Sequence, residues 1–137
     1  MKGKTISEIK IGDKASISKT VSETDVYLYA GITGDLNPAH INEEEAKETM
    51  FKGRIAHGML TAGLISAVLG MQLPGPGTIY MGQELKFTAP VRFGDTITAT
   101  VEVVEIENGK FLKLHTFAVN QDKQVVLDGF ARVMPPK

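Results

Sequence analysis

Met59-Leu60-Thr61-Ala62-Gly63-Leu64-Ile65-Ser66-Ala67-Val68-Leu69-Gly70-Met71 holds no charge and is apolar nearly all round. A helix of that character is expected to be surrounded by protein, and Gly63 and Ala67 allow neighbours to pack closely on it. It is well short of the ~20 apolar residues that cross a bilayer, and Thr61, Gly63 and Ser66 interrupt it. The stretch therefore reads as the centre of a fold, and the flanking chain must supply the layer that covers it.

On the C-terminal side, Pro74-Gly75-Pro76-Gly77 forms a loop, followed by four strand-like stretches near 79–88, 95–106, 111–120 and 125–134. Gly94-Asp95, Asn108-Gly109 and Gln121 to Gln124 separate them, and such short polar turns imply antiparallel neighbours. Ile97, Ala99, Val101 and Val103 alternate with Thr96, Thr98, Thr100 and Glu102, giving one sheet face to a core. On the N-terminal side, Ala15, Ile17 and Val21 alternate with Ser16, Ser18 and Thr20 as a further half-buried strand. Ser22 with Asp25 resembles a capping box that starts a short helix. Gly31, Gly34 and Asn37-Pro38 break the helical pattern, so Gly31 to His40 is expected to be a shaped loop. Asn42 ahead of Glu43-Glu44-Glu45 caps another short helix. The reading is an α+β fold in which a curved antiparallel sheet wraps a central helix, with residues 1–137 forming one domain.

Composition narrows the function. Lysine plus arginine (15) nearly balances aspartate plus glutamate (16), so no net field draws the chain to nucleic acid or an anionic membrane. The absence of cysteine removes disulfides, thiolate nucleophiles and cysteine-ligated metal sites. The N-terminus carries no secretory pattern, which makes the cytoplasm the default location. His40, His57 and His115 show no metal-ligand spacing, so no metal or other cofactor is expected.

Chemistry concentrates in Tyr29-Ala30-Gly31-Ile32-Thr33-Gly34-Asp35-Leu36-Asn37-Pro38-Ala39-His40, where a carboxylate and an imidazole stand five residues apart. Together such groups can hold a water and move its proton near neutral pH. On spacing alone, an Asx-type turn closed by Asp35 and a satisfied histidine is the favoured reading. The motif resembles the signature of the MaoC-like (R)-specific enoyl-CoA hydratases, an aromatic residue followed by Gly-Asp-x-Asn-Pro-x-His. Further similarity follows in Arg54 to Leu60, Gly70 to Gly75, Gly82 to Phe87 and Pro90 to Asp95. Ala39 departs from the pattern, which usually has a larger aliphatic residue there.

The resemblance implies a hot-dog fold and reversible hydration of a short trans-2-enoyl-CoA to the (R)-3-hydroxyacyl-CoA. Asp35 and His40 would be the catalytic pair, and the Gly58 N–H the donor to the thioester carbonyl. Ser66, Leu69 and Met134 match positions that line the acyl pocket in similar hydratases, although Leu69 and Met134 also read as ordinary core residues. Asn37 and Pro38 are assigned to the scaffold. Coenzyme A would arrive as part of the substrate, its phosphates met by surface residues such as Lys86 or Arg92. A homodimer is expected, with neither nucleic acid nor membrane as partner. His57 reads as a capping or packing residue, and His115 as lying on a solvated sheet face with Lys113 and Phe117. The alternatives are a 3-hydroxyacyl thioester dehydratase of fatty acid synthesis, an acyl-CoA thioesterase and a non-catalytic acyl-CoA-binding protein of the same fold.

Overall fold

The computed structural model describes residues Met1–Lys137. Its elements are a 3-10 turn at Ile6–Glu8, β1 (Lys14–Thr20), α1 (Glu23–Thr33), α2 (Pro38–Ile41), α3 (Glu43–Ala46), α4 (Gly58–Met71), β2 (Ile79–Phe87), β3 (Thr96–Glu107), β4 (Phe111–Val119) and β5 (Val125–Met134). The strands form one antiparallel sheet in the order β1-β3-β4-β5-β2, which leaves β1 and β2 at the edges. Register shifts at Tyr80/Gly82, Val103/Glu105 and Ala118/Val119 interrupt the ladders, and such bulges bend a sheet.

The alternation read from the sequence sets the core. Ile97, Ala99, Val101 and Val103 of β3 are at most 1% exposed, and Leu112, Leu114, Leu127 and Val133 join them from β4 and β5. α4 lies on this face and buries Thr61, Ala62, Ile65, Val68 and Leu69 against it. Fully burying a side chain such as Ile65 or Leu69 stabilises the fold by about 1.5–3 kcal/mol. A five-stranded antiparallel sheet on one long helix is the hot-dog arrangement, so the expected α+β class is observed. No helix is long and apolar enough to cross a membrane.

Three expectations are corrected. The short turn at Gly94-Asp95 does not join antiparallel neighbours: residues 88–95 carry the chain across the sheet, so that β2 pairs with β5 at one edge while β3 lies between β1 and β4. α4 is not surrounded: Met59 is 55% and Met71 57% exposed, and Gly63 and Ser66 also face outward, because one sheet covers only one side of a helix. Nor is Gly31 to His40 all loop. The Ser22–Asp25 capping box starts α1 as expected, but the helix runs through Gly31 to Thr33 and ends at Gly34, whose φ of 82° is left-handed. A glycine inside a helix destabilises it by only about 1 kcal/mol relative to alanine; the left-handed turn at Gly34 is what stops the helix. Only Gly34 to Asn37 are irregular, and His40 sits on the short helix α2.

Gly129 shows where the sheet admits no side chain. A Cβ there would lie 1.8 Å from the Glu84 carbonyl oxygen on the neighbouring strand. Gly129→Ala should therefore push β2 and β5 apart and destabilise the protein by about 1–3 kcal/mol, the usual range for overpacking, read as a lower urea midpoint.

Candidate active site

Asp35 is positioned by a relay of short-range hydrogen bonds. Thr33 Oγ1 donates to the Tyr29 carbonyl (2.8 Å) and accepts from the Asp35 N–H (3.1 Å). Asp35 Oδ1 then accepts from the Asn37 N–H (3.2 Å), and Asn37 Oδ1 from the Ala39 N–H (3.0 Å), which caps α2. Asp35 thus closes an Asx turn and still lines a cavity. The Pro38 ring at the first helical position fixes α2's start.

His40 is held from the opposite side. Its Nδ1 lies 2.7 Å from the Ile55 carbonyl, which can only accept, so Nδ1 carries the hydrogen and Nε2 is left with a lone pair. The Ile55 N–H returns a bond to the Ala39 carbonyl (3.0 Å), and the Ala56 N–H donates to Val91 (2.8 Å). The lead-in to α4 is therefore fastened to α2 and to the loop before β3 at once.

α4 begins at Gly58, whose N–H makes no hydrogen bond within the protein, and His57 at the cap position supplies no side-chain cap. An uncapped helix start presents free N–H groups and the positive end of the helix dipole. Glycine leaves room there for the Phe87 ring, which a Cβ would approach to 2.6 Å and displace. Asp35, His40 and Gly58 all line one cavity of about 540 Å3, with Tyr29, Phe51 and Phe87 among its apolar walls.

His57 joins this group, which spacing did not reveal. It is 2% exposed, its Nε2 lies 3.0 Å from the Asp35 carbonyl oxygen, and its ring centroid stands 3.9 Å from that of His40. One ligand-type atom from each of Asp35, His40 and His57 falls within 4.8 Å of the others, so these three side chains are the ones that could hold a cation. The third histidine is elsewhere. His115 is half-buried on the outer sheet face, 2.6 Å from Asp128 Oδ1 and stacked on Phe117.

Ser66, Leu69 and Met134 do not line the cavity in the isolated chain. Ser66 faces outward from α4, Leu69 is fully buried in the core, and Met134 is half-buried opposite Ile79 at the end of β5. Nor is Arg92 free for a phosphate. Its guanidinium donates to the carbonyls of Gly53 (3.2 Å), Arg54 (3.4 Å) and Phe51, clamping the loop that carries Phe51 into the cavity. Arg54 is likewise engaged, with Tyr27 (2.8 Å), Glu43 (3.3 Å) and Glu23 (3.5 Å). The Tyr27 hydroxyl, then Arg54, hold the Glu23 carboxyl below its ordinary value. Lys86 on β2 is exposed.

Residues 6–125 match the MaoC like domain family. The chain is 57% identical over 130 residues to an (R)-specific enoyl-CoA hydratase of Rhodospirillum rubrum, covering 94% of this chain and 90% of that protein. It is 46% identical to a 3-hydroxybutyryl-CoA dehydratase of Methylorubrum extorquens, covering 95% and 83%. Among solved structures, the unliganded R-hydratase PhaJ1 of Pseudomonas aeruginosa superposes with a TM-score of 0.93 at 42% identity, over 98% of this chain and 87% of that one.

Proposed function

The chain belongs to the MaoC-like domain family, and from that membership we infer that it is an (R)-specific enoyl-CoA hydratase. The observation that carries the chemistry is the convergence, on one cavity, of a carboxylate, an imidazole with a free Nε2 lone pair and an uncapped glycine N–H. Asp35 and His40 hold one water between them. As the water oxygen bonds the β-carbon, one member of the pair takes its proton, and the pair delivers a proton to the α-carbon. The electrons of the double bond move toward the thioester oxygen, where the Gly58 N–H and the dipole of α4 stabilise the developing charge. One such donor lowers the barrier by about 2.7–4 kcal/mol. The dehydratase direction is the same reaction run backward through the same groups.

The functional unit is a homodimer. β2 is an open edge with Ile79 52% and Met81 48% exposed, and the outward face of α4 is apolar and small, with Met59, Gly63 and Met71. An unpaired edge strand is a template for another strand, and a two-fold partner covers both features with the same surface of its own. Sedimentation should give twice the mass of one chain.

The acyl group is short, roughly four to six carbons, because one methylene in a closed pocket is worth ~1–3 kcal/mol. Thr61 lines the cavity, and Ile65 and Leu69 follow at one and two turns on the same face of α4. An acyl chain that passes Thr61 meets this packed face, where Ile65 and Leu69 are fully buried, and is stopped there. Ser66 and Met134 complete the wall once the second copy covers this side.

Crotonyl-CoA should lose its enoyl absorbance on mixing with the protein, with no free thiol released; thiol release would instead mark a thioesterase. Asp35→Asn and His40→Gln should each nearly abolish turnover in folded protein. Because both residues act on one water, the double variant should cost far less than the sum of the two free-energy losses. Leu69→Ala should raise turnover of enoyl-CoA of eight or more carbons relative to crotonyl-CoA, and an unchanged chain-length profile would make Leu69 core packing alone.

A further inference from the structure

We infer that His57 is a positioning residue for hydration, holding the acid–base pair in register with the amide that receives the thioester oxygen. This rests on the hydratase reading above. The Asp35 carbonyl oxygen, 3.0 Å from Nε2, can only accept, so Nε2 carries the hydrogen and Nδ1 bears a lone pair. The ring lies between two others, 3.9 Å from His40 and 4.6 Å from Tyr29. The next residue in the chain is Gly58. One buried side chain therefore touches the main chain of Asp35 and the face of His40, and its own backbone leads directly into the start of α4.

Neither ordinary role accounts for it. His57 occupies the cap position of α4 yet makes no side-chain cap bond. Packing alone would be served by phenylalanine, which fills the same space without a buried nitrogen; here Nδ1 is buried and has no partner. The one other buried side-chain polar atom without a partner is Thr61 Oγ1, one turn along α4 and lining the same cavity. Buried polar groups are ordinarily paired, and both exceptions fall at this site.

Asp35 is then fixed at two points, its carboxylate Oδ1 by the Asn37 N–H and its main-chain oxygen by His57. His40 is also fixed at two, its Nδ1 by Ile55 and its ring face by His57. Loss of the His57 bond frees the Asp35 backbone while leaving substrate-binding surfaces in place, so it should act on the chemical step more than on binding.

Two variants separate bond from bulk. His57→Phe keeps the tilted ring contacts and removes the donor, while His57→Gln keeps an N–H donor and removes the ring. For crotonyl-CoA, His57→Phe should lower kcat about 100-fold, the scale of a small misplacement of reacting groups, with KM changed less than about threefold. His57→Gln should recover about tenfold or more of that loss. A folded His57→Phe within about twofold of the parent kcat, or a His57→Gln no better than His57→Phe, overturns the proposal. Imidazole nitrogen NMR of the parent protein gives a reading that needs no variant to fold. It should show His57 as the Nε2–H tautomer, and an Nδ1–H tautomer overturns the proposal. Parent turnover keeps the two readings apart: an inactive parent overturns the hydratase reading and this one together, whereas an active parent with an unaffected His57→Phe overturns only the role of His57.

Discussion

The segment Arg54 to Gly58 is the constraint on which the site depends. Ile55 exchanges hydrogen bonds with α2 through the Ala39 carbonyl and His40 Nδ1, and Ala56 bonds Val91 ahead of β3. Those bonds fix where α4 begins. They also fix where His40 points, because the carbonyl that orients its ring belongs to the same segment. The sheet and α4 share one apolar core, and this short extended segment is the means by which that core sets the loop that carries Asp35. Arg92 and Arg54 reinforce it from the flanks, each tied to backbone or side chains rather than left open to solvent.

The sheet was legible because its signals are local. The alternation in Thr96–Glu107 has a period that only a strand uses, and the polar turns at Asn108-Gly109 and Gln121 to Gln124 left little freedom in how β3, β4 and β5 pair; the turn at Gly94-Asp95 gave the wrong neighbour, because β2 pairs with β5 and not with β3. The capping residues Ser22 and Asn42 were equally readable, since the bond each makes spans three residues. For the helices, what misled was degree rather than type. Hydropathy told that α4 is apolar without telling how much of it this one chain covers, because covering the far face takes surface from outside the chain. Gly31 misled for a related reason: low helix propensity is a small term, and tertiary context overrides it.

For the site, legibility depended on distance along the chain. Asp35 and His40 are close in sequence, and family resemblance lifted them from an ambiguous turn to a candidate pair. The hydrogen bonds of Asp35 run through Thr33 and Asn37, within a few residues, whereas the bond that orients the His40 ring comes from Ile55. His57 is different. It reaches Asp35 and His40 only because the lead-in to α4 crosses beside α2, a juxtaposition set by packing that no spacing rule encodes. The same holds for Phe87, whose ring explains why Gly58 carries no side chain. Arg92 was misjudged as free because a sequence shows a charge but not the three carbonyls that occupy it.

The helix caps divide the molecule by purpose. α1, α2 and α3 each have a cap side chain, from Ser22, Asn37 and Asn42, that accepts a backbone N–H. α4 is the longest helix and has none. Replacing a good cap by a residue that cannot cap typically destabilises by about 1 kcal/mol, so an uncapped start on the central helix is a local defect in stability terms. Its position shows what the defect does. The open end is the one that faces the cavity, beside the only two buried side-chain polar atoms without partners. A capping serine or aspartate at position 57 would accept from an N–H in the first turn of α4 and set its side-chain oxygen at the helix start, where, on the function proposed above, the thioester oxygen arrives. On that proposal, the stability forgone at α4 and the reactivity of the cavity are two aspects of one arrangement, in which a substrate completes the helix start that the chain leaves open.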